Sequence, residues 1–483
     1  MPKNRPALPI FENITISDAG SEGNAVARVD NKVIFIPYVV PGDVVDIQIT
    51  KKKKSYFEGK ALRFHTYSDL RVEPFCEHFG LCGGCRWQHM SYETQLFFKQ
   101  KQVVDNFRRI GKIENPVIHP IVPSPRFRDY RNKLEFTFSN RRWFTQPKPG
   151  PDEAPPDRNA LGFHIPAMFD RVLDINRCHL QEEPSNAIRL FIRRYAVENG
   201  LAFYDVMKWE GFLRNLIIRN TTTGDLMVIL VVRDDHREVI TKLLDELIAA
   251  FPSITSLYFV INQKKNDVIN DLTMNLYHGS PFITEIMDPY HKENKRINFQ
   301  IGPVSFFQTN GYQAVNVYKE VGRMADFSGN ETVYDLYTGT GTIALYIAPY
   351  VKRVVGIESV ASAVEDARKN ARLNGITNAV FFAGEAEKLM NRDFIYQNGH
   401  PDLIIADPPR SGMHEKVVRA ILDAEPGTII YVSCNPATQA RDLHLLEEKY
   451  TIVESRPFDM FPQTHHVENV TLLRRKQASP ALI

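Results

Sequence analysis

Two patterns of apolar and polar residues divide the chain. Between about Asn13 and Arg63, apolar and polar positions alternate in short runs separated by Gly, Asp-Asn and Pro-Gly turn signals. A period of two with frequent turns is typical of a small β-barrel. From about Gly302 onward, short apolar runs alternate with helical segments instead, which indicates strand–helix units and a doubly wound, mostly parallel sheet.

The region between these two patterns mixes helices and strands. A helix is predicted at SYETQLFFKQKQVVDNFRRIG, closed by Gly111, and strands are predicted at YRNKLEFTFS, LRNLIIRN, LMVILVVR and SLYFVIN. A run rich in proline and charge, Thr145–Asp157, predicts an exposed loop. The fold class is therefore multidomain, and we expect a barrel at residues 1–66, an α+β domain at 67–300 and an α/β domain at 301–483.

Composition excludes some classes of protein without indicating a partner. The 483 residues are 43% hydrophobic with a net charge of +2, so wholesale disorder is not expected. From Lys99 to Arg142, however, eleven Lys or Arg face four Asp or Glu, a local net charge of +7. No run approaches the roughly 18 apolar residues of a membrane helix, and the start of the chain lacks the apolar stretch of a secretory signal. We therefore expect a cytoplasmic protein without a membrane partner.

A glycine-rich motif follows one predicted strand and opens a helix, DLYTGTGTIAL, and Glu358 ends the next strand. Doubly wound sheets bind ligands at such strand ends. Gly339 and Gly341 permit close backbone approach, and a strand-end acid can accept hydrogen bonds from ribose hydroxyls. Because Ala344 completes a dinucleotide-type spacing, the pattern leaves both a nicotinamide cofactor and S-adenosylmethionine open.

A second strand-end motif, ADPPR at Ala406–Arg410, favours S-adenosylmethionine. Asp-Pro-Pro forms a rigid loop that can face a flat polar group, and many nucleic-acid base methyltransferases place such a loop against the base that they modify. The alternative is a plain turn in which a proline starts a helix.

Four of the five cysteines form a group, with three in CEHFGLCGGC and a fourth in NRCHL. Thiolates are soft ligands that select zinc or iron–sulfur clusters. Zinc sites usually use two closely spaced pairs, whereas a C-x5-C-x2-C spacing with one remote cysteine suits a 4Fe-4S cluster. Zinc and unrelated thiols remain alternatives. The four residues are Cys76, Cys82, Cys85 and Cys178.

The fifth cysteine, Cys434, ends an apolar run just before Asn-Pro in YVSCNPATQARDL. A buried core cysteine is one interpretation, and a thiol facing the cleft of the sheet is the other. Glu468 begins the last predicted strand, which we expect beside the Cys434 strand or one strand removed. A thiolate that adds to carbon 6 of uracil and a base that removes the proton from carbon 5 would together allow carbon 5 to accept a methyl group. His465 and His466 are interpreted as loop residues.

At these motifs the chain strongly resembles the bacterial RNA uracil-5 methyltransferase family. The cysteine motif resembles the family's 4Fe-4S motif, and the catalytic motifs occur in their usual order as FFQTN, DLYTGTGT, DPPR, SCNPAT and HVENV. The resemblance implies an N-terminal OB-like barrel of the TRAM type, a central iron–sulfur domain and a C-terminal Rossmann-like methyltransferase domain.

The resemblance also implies roles for individual residues. Cys434 would be the nucleophile, Glu468 would be the proton acceptor, and the four grouped cysteines would hold the 4Fe-4S cluster. The residues that would contact S-adenosylmethionine are Gln308, Tyr337, Glu358 and Asp407.

Within the family, the cluster and the TRAM domain favour a uridine of 23S ribosomal RNA, since members that act on tRNA commonly lack both. Alternatives are methylation of tRNA, a non-catalytic RNA-binding assembly factor, and an exocyclic-amine methyltransferase, which would not need Cys434. The basic region Lys99–Arg142 fits an RNA partner, and no obligate protein partner is expected. Four aromatic residues could stack on bases or belong to the core: Trp87, Phe127, Tyr130 and Phe136.

Overall fold

The computed structural model describes residues 8–145, 157–291 and 295–477, so the predicted loop at 145–157 lies almost entirely outside the described residues. The first six strands form one sheet in the order β1-β5-β6-β4-β3-β2, antiparallel except between β4 and β6. Alternate residues such as Ala27, Ile34 and Ile47 fill a separate apolar core, which confirms the predicted barrel. The strands are β1 (Ile10–Thr15), β2 (Asp18–Ala19), β3 (Ala25–Val29), β4 (Lys32–Ile36), β5 (Val44–Lys52) and β6 (Tyr56–Thr66).

An irregular segment, residues 67–91, leads to the first helix and to an eight-stranded mixed sheet with the order β14-β13-β12-β11-β7-β9-β10-β8. This central part has both helices and strands, as the sequence predicts. Its elements are α1 (Tyr92–Arg109), β7 (Lys133–Ser139), β8 (Arg142–Trp143), β9 (Ala160–Ile165), β10 (Met168–Asp174), α2 (Ser185–Glu198), β11 (Leu213–Asn220), β12 (Leu226–Val232), α3 (Arg237–Ala250), β13 (Ser256–Ile261) and β14 (Asn275–Gly279).

A two-stranded hairpin precedes a seven-stranded sheet with the order β19-β18-β17-β20-β21-β23-β22. The first five of these strands are parallel and β23 runs antiparallel to both neighbours, which confirms a mostly parallel sheet. The elements are β15 (Ile283–Met287), β16 (Ile297–Ile301), α4 (Gly311–Ala325), β17 (Thr332–Leu336), α5 (Thr342–Ile347), β18 (Arg353–Glu358), α6 (Ala361–Leu373), β19 (Ala379–Ala383), α7 (Ala386–Leu389), α8 (Arg392–Asn398), β20 (Leu403–Ala406), α9 (Glu415–Ala424), β21 (Thr428–Ser433), α10 (Pro436–Leu446), β22 (Tyr450–Phe458) and β23 (Glu468–Arg475).

The central sheet is covered on both faces. Leu216 and Leu230 pack with α2 and α3 on one face, whereas their neighbours Ile217 and Ile229 join the core that contains the hairpin β15–β16 and part of the C-terminal sheet. Burial on both faces explains why β12 is apolar along its whole length. The predicted limit between residues 300 and 301 falls inside β16.

None of the helices in the described ranges is long and apolar enough to cross a membrane. Of the four aromatic residues considered for base stacking, Trp87, Tyr130 and Phe136 are buried in the core, whereas Phe127 is 46% exposed.

Candidate active site and cysteine cavity

The carboxyl ends of four adjacent parallel strands meet at one edge of the C-terminal sheet. The strands β18, β17, β20 and β21 pair in that order. Glu358 is the last residue of β18, Asp407 follows β20 and Cys434 follows β21. Three residues predicted to bind the cofactor or react therefore share this edge, as expected for the ligand-binding side of a doubly wound sheet.

The loop between β17 and α5 has an unusual backbone. Tyr337, Gly339 and Gly341 have φ values of 64°, 56° and 78°. At Gly341 an added Cβ would lie 3.0 Å from Cβ of Ala367, so a larger residue is excluded by space as well as by φ. The loop thereby directs the Gly339 amide toward Glu358, whose Oε2 accepts its hydrogen bond at 3.1 Å.

The FFQTN segment lies against this loop. The carbonyl oxygen of Phe306 accepts a hydrogen bond from Thr340 Oγ1 at 3.2 Å, and the carbonyl oxygen of Gln308 accepts one from Asn132 Nδ2 at 2.9 Å. Asn310 then caps α4 by accepting from the Gln313 amide at 3.1 Å. The FFQTN segment therefore contacts the glycine-rich loop through Phe306, and Gln308 is two residues further along the same segment.

Cys434 and Glu468 lie at the same end of two neighbouring strands. β21 and β23 are antiparallel, with Thr428 paired to Arg474 and Ser433 paired to Asn469 at the last pair. Cys434 is the residue after Ser433, in a bend, and Glu468 is the residue before Asn469 at the start of β23. The strand of Glu468 is therefore beside the one that Cys434 follows and not one strand removed, and the Glu468 carboxyl is close enough to act on the thiol.

Burial and nearby carboxyls dominate the electrostatics of this pair. Burial raises the pKa of the Cys434 thiol to about 12, and Glu468 and Asp407 add to the effect while Arg410 opposes it. Burial, together with Asp407, also holds the pKa of Glu468 well above its usual range, and Arg410 again opposes the shift.

Two aspartates extend this acidic group. Burial raises the pKa of Asp407 to about 7, with Asp335 contributing, and burial raises the pKa of Asp335 to about 7 as well. Asp335 accepts hydrogen bonds from Thr338 Oγ1 at 2.5 Å and from the Ala344 amide at 3.1 Å. The carboxylate therefore braces the glycine-rich loop from beneath.

Arg410 joins the loop after β20 to the segment after β21. Its carbonyl oxygen accepts hydrogen bonds from Asn435 Nδ2 at 2.9 Å and Thr438 Oγ1 at 3.2 Å, and its Nη2 lies 3.4 Å from Nε2 of His466. The sequence motif DPPR contains this arginine, but its effect on Cys434 and Glu468 becomes visible only when the strand ends are brought together.

Cys434 also lines a cleft of about 850 Å³. The walls of this cleft come from the barrel, from α1 and from loops at the edge of the C-terminal sheet. The barrel contributes Arg28 and Phe35, α1 contributes Lys101 and Arg109, and the opposite wall includes His465 and His466. Burial lowers the pKa of these histidines to about 4 and about 3, with neighbouring cations adding to the effect, so both are neutral near pH 7. Their loop position agrees with the interpretation from sequence.

The four grouped cysteines line one cavity of about 330 Å³. Cys76, Cys82 and Cys85 come from the irregular segment 67–91, and Cys178 comes from the loop after β10. Across residues 8–145, 157–291 and 295–477, no three His, Cys, Asp or Glu side chains are grouped as they would be around a single metal ion. The structure brings the predicted ligands to one cavity, and the cluster itself stays a prediction.

Comparison with known proteins adds the family. Residues 280–476 match the profile described as tRNA (Uracil-5-)-methyltransferase, and residues 12–62 match the TRAM domain. An uncharacterized RNA methyltransferase of Bacteroides thetaiotaomicron is 52% identical over 456 residues, which cover 94% of this chain and 99% of that protein. The chain belongs to the RNA uracil-5 methyltransferase family.

Two further relatives agree with this membership. An uncharacterized RNA methyltransferase of Chlorobaculum tepidum is 39% identical over 471 residues, covering 96% of each chain. The crystal structure of the tRNA (uracil-54, C5)-methyltransferase of Pyrococcus abyssi, in complex with S-adenosyl-L-homocysteine, has a TM-score of 0.73 at 28% identity and covers 95% of this chain and 99% of that one. This uracil-5 methyltransferase family member therefore shares its architecture with a solved structure over nearly the whole chain.

Proposed function

We propose that the protein is an S-adenosylmethionine-dependent methyltransferase that modifies carbon 5 of a uridine in RNA through a covalent bond between Cys434 and carbon 6. The observation that carries the proposal is the pairing of β21 with β23 up to Ser433 and Asn469, which brings the adjacent residues Cys434 and Glu468 to the same end of the sheet, within electrostatic reach of each other. An exocyclic-amine methyltransferase would have no use for this pair.

The reaction follows from the two side chains. Cys434 first loses its proton to solvent, a loss that Arg410 favours. The thiolate adds to carbon 6, and the electron pair of the C5–C6 double bond moves toward carbon 5. Bound S-adenosylmethionine would supply the methyl group from its sulfonium. The Glu468 carboxylate then takes the proton from carbon 5, the double bond re-forms, and the carbon–sulfur bond breaks to release the thiolate. A carboxylate of raised pKa is the stronger base for this step.

The cofactor would be held at the strand ends. Glu358, fixed by the Gly339 amide, is placed to accept hydrogen bonds from ribose hydroxyls, and Gln308, Tyr337 and Asp407 would complete its surroundings. Asp335 lies below the loop, where it supports the backbone rather than the ligand.

We assign the four grouped cysteines to a 4Fe-4S cluster. The C-x5-C-x2-C spacing with one remote cysteine suits a cluster better than the two close pairs of a usual zinc site, and all four side chains line one cavity. A cluster there would join the irregular segment to the central sheet. The proposed division into domains is 1–66, 67–300 and 301–483, with the second limit one residue before the end of β16.

The proposed substrate is 23S ribosomal RNA in the cytoplasm, supported by the TRAM match and the grouped cysteines. Transfer RNA is the second candidate, because the related Pyrococcus abyssi enzyme is a tRNA (uracil-54, C5)-methyltransferase. Incubation with separated ribosomal and transfer RNA from a deletion strain distinguishes them, since only the true substrate should accept a methyl group.

The covalent mechanism is tested with RNA that contains 5-fluorouracil. Fluorine cannot leave as a proton, so the protein should remain bonded to the RNA once the methyl group has been transferred. Glu468→Gln should accumulate the same adduct with ordinary RNA, because only proton removal is impaired. Methylation without any adduct would exclude Cys434 as the nucleophile.

A further inference from the structure

The loop at residues 459–467 connects β22 to β23 and forms one wall of the cleft at Cys434, through His465 and His466. It contains no helix or strand, so contacts with other parts of the chain fix its position. Its first residue, Asp459, accepts a hydrogen bond at 2.5 Å from Lys99 of α1, and both side chains are fully buried. The start of the loop is therefore fastened to α1.

A pair of buried amides fastens the middle of the same loop. Gln95, on α1, makes two hydrogen bonds with Gln463. The Gln95 Oε1 accepts one from the Gln463 backbone amide at 2.9 Å, and the Gln95 Nε2 donates one to Gln463 Oε1 at 3.0 Å. The same Nε2 lies 3.1 Å from the carbonyl oxygens of Trp87 and Met90. Gln95 and Gln463 are only 1% and 3% exposed, and buried amides left unpartnered are costly. Both buried amide side chains therefore have hydrogen-bond partners.

Gln463 also binds the segment that carries the cysteines. Its carbonyl oxygen accepts hydrogen bonds from the backbone amides of Arg86 and Trp87 at 2.9 and 3.1 Å. The Trp87 indole, 2% exposed, donates in turn to the carbonyl oxygen of Gly23 in the barrel at 3.3 Å. Hydrogen bonds therefore connect the loop at residues 459–467, which we call the catalytic loop, through Trp87 to the barrel.

The backbone conformation of Gln463 also indicates that its neighbours hold it in place. Its φ is 70°, in the left-handed region that side chains other than glycine seldom adopt. Such a conformation persists only where the surroundings hold it, and it is concentrated at functional sites. Here the surroundings are the Gln95 amide and the two backbone donors of Arg86 and Trp87.

We propose that Gln95 and Gln463 are positioning residues that hold α1, the catalytic loop and the barrel in register, so that the RNA-binding cleft at Cys434 is preformed. The inference rests on the proposed function. Glu468 itself is held by pairing with Phe458 of β22, so the amide pair acts on the walls of the cleft. Its loss affects RNA binding more than the chemical step.

The test compares Gln95→Met with the matched control Val103→Ala, which alters a fully buried residue of the same helix that packs into the core of the C-terminal domain. Total RNA from a deletion strain is the substrate. Gln95→Met should raise the apparent KM for RNA about tenfold, the change that corresponds to about 1.4 kcal/mol. Its kcat should stay within about threefold of the wild type, with unchanged binding of S-adenosylhomocysteine. Val103→Ala should lower the melting temperature without this rise in KM.

Hydrogen exchange decides the inference independently of activity. Gln95→Met should speed exchange both in residues 459–467 and in the barrel near Gly23, whereas Val103→Ala should not. Gln463→Met should reproduce the effect, and the double variant should be less impaired than the two single effects combined, because paired groups are not additive. Unchanged exchange in the barrel, or full additivity, would overturn the proposal, while absence of methylation by the wild type would refute the proposed function alone.

Discussion

Cys434 directly follows β21 and Glu468 begins the neighbouring strand β23, whereas the four grouped cysteines come from an irregular segment and from the loop after β10. The pairing of β21 with β23 brings the ends that carry the first pair together. Nothing comparable spaces the cysteines, which surround a cavity. We therefore expect the arrangement of Cys434 and Glu468 to form without a ligand, whereas the cluster proposed for the cysteine cavity should contribute to the stability of that region.

The chemical surroundings of Cys434 also differ from those of the four grouped cysteines. Burial is the main cause of the raised pKa of Cys434, and the charged groups Glu468, Asp407 and Arg410 also act on it. The cysteine cavity has apolar walls that include Leu134 and Phe163, with two arginines among its lining residues. Apolar walls with nearby cations suit a buried, thiolate-bearing group, whereas opposed charges suit a proton-transfer site.

The largest effect is expected from a variant that removes the Cys434 thiol and leaves the cysteine cavity unchanged. Cys434→Ala should lower kcat by more than about 10⁴-fold, as removal of an essential nucleophile does. Because the thiol is a half-buried residue at a strand end, the melting temperature should change little and bound iron should remain. Methyl transfer to RNA and iron content measured on one preparation check both parts. Loss of iron together with activity would mean that the two sites are not independent.

Cys178→Ala is expected to have the opposite effect, because it changes the cysteine cavity and not the Cys434 site. This variant removes one of the four residues that line the cysteine cavity, so anaerobically purified protein should lose most of the roughly four irons expected for a 4Fe-4S cluster. Its melting temperature should fall because a bound metal group contributes folding free energy. Stoichiometric zinc in the wild type would overturn the cluster assignment, and Cys434→Ala is the matched control.

The barrel and the parallel sheet were predictable because their signals are local, with a period of two in one and strand–helix alternation in the other. The strand-end positions of Glu358, Asp407 and Cys434 follow from the same signals. The neighbourhood of Cys434 and Glu468 was predicted only to within one strand, because register depends on pairing between distant segments.

Other features have no local signal. Ile217 and Ile229 gain their second buried face from elements far along the chain. Gln95 and Gln463 are 368 residues apart, and a glutamine on a helix looks like any exposed polar position until its partner is known. Phe127 and Tyr130 are close in sequence, yet one is exposed and the other buried, since burial depends on tertiary packing.

A moderate effect should sharpen the electrostatic side of the comparison. Arg410 favours the charged forms of both Cys434 and Glu468, so Arg410→Met should raise both pKa values. The rising limb of the pH–rate profile should then move to higher pH, with about a tenfold loss near neutrality that shrinks in alkaline solution. A loss that is equal at every pH would show that Arg410 acts by binding RNA and not through the thiol. The iron content should be unaffected.

The smallest effect concerns Asp335, which braces the glycine-rich loop. Burial raises its pKa from 3.8 to about 7, so the folded state binds this proton more tightly than the unfolded state does. The contribution to stability is complete below about pH 4 and is lost as the pH rises through about 7. Asp335→Asn should therefore make the decline in unfolding free energy between about pH 5 and pH 7.5 shallower, by on the order of 1 kcal/mol. Urea titrations at both pH values check this. Because the pKa of Asp407 is raised to about 7 as well and that of Glu468 is also raised, part of the decline should persist in the single variant. The double variant Asp335→Asn with Asp407→Asn should make the decline shallower still without removing it.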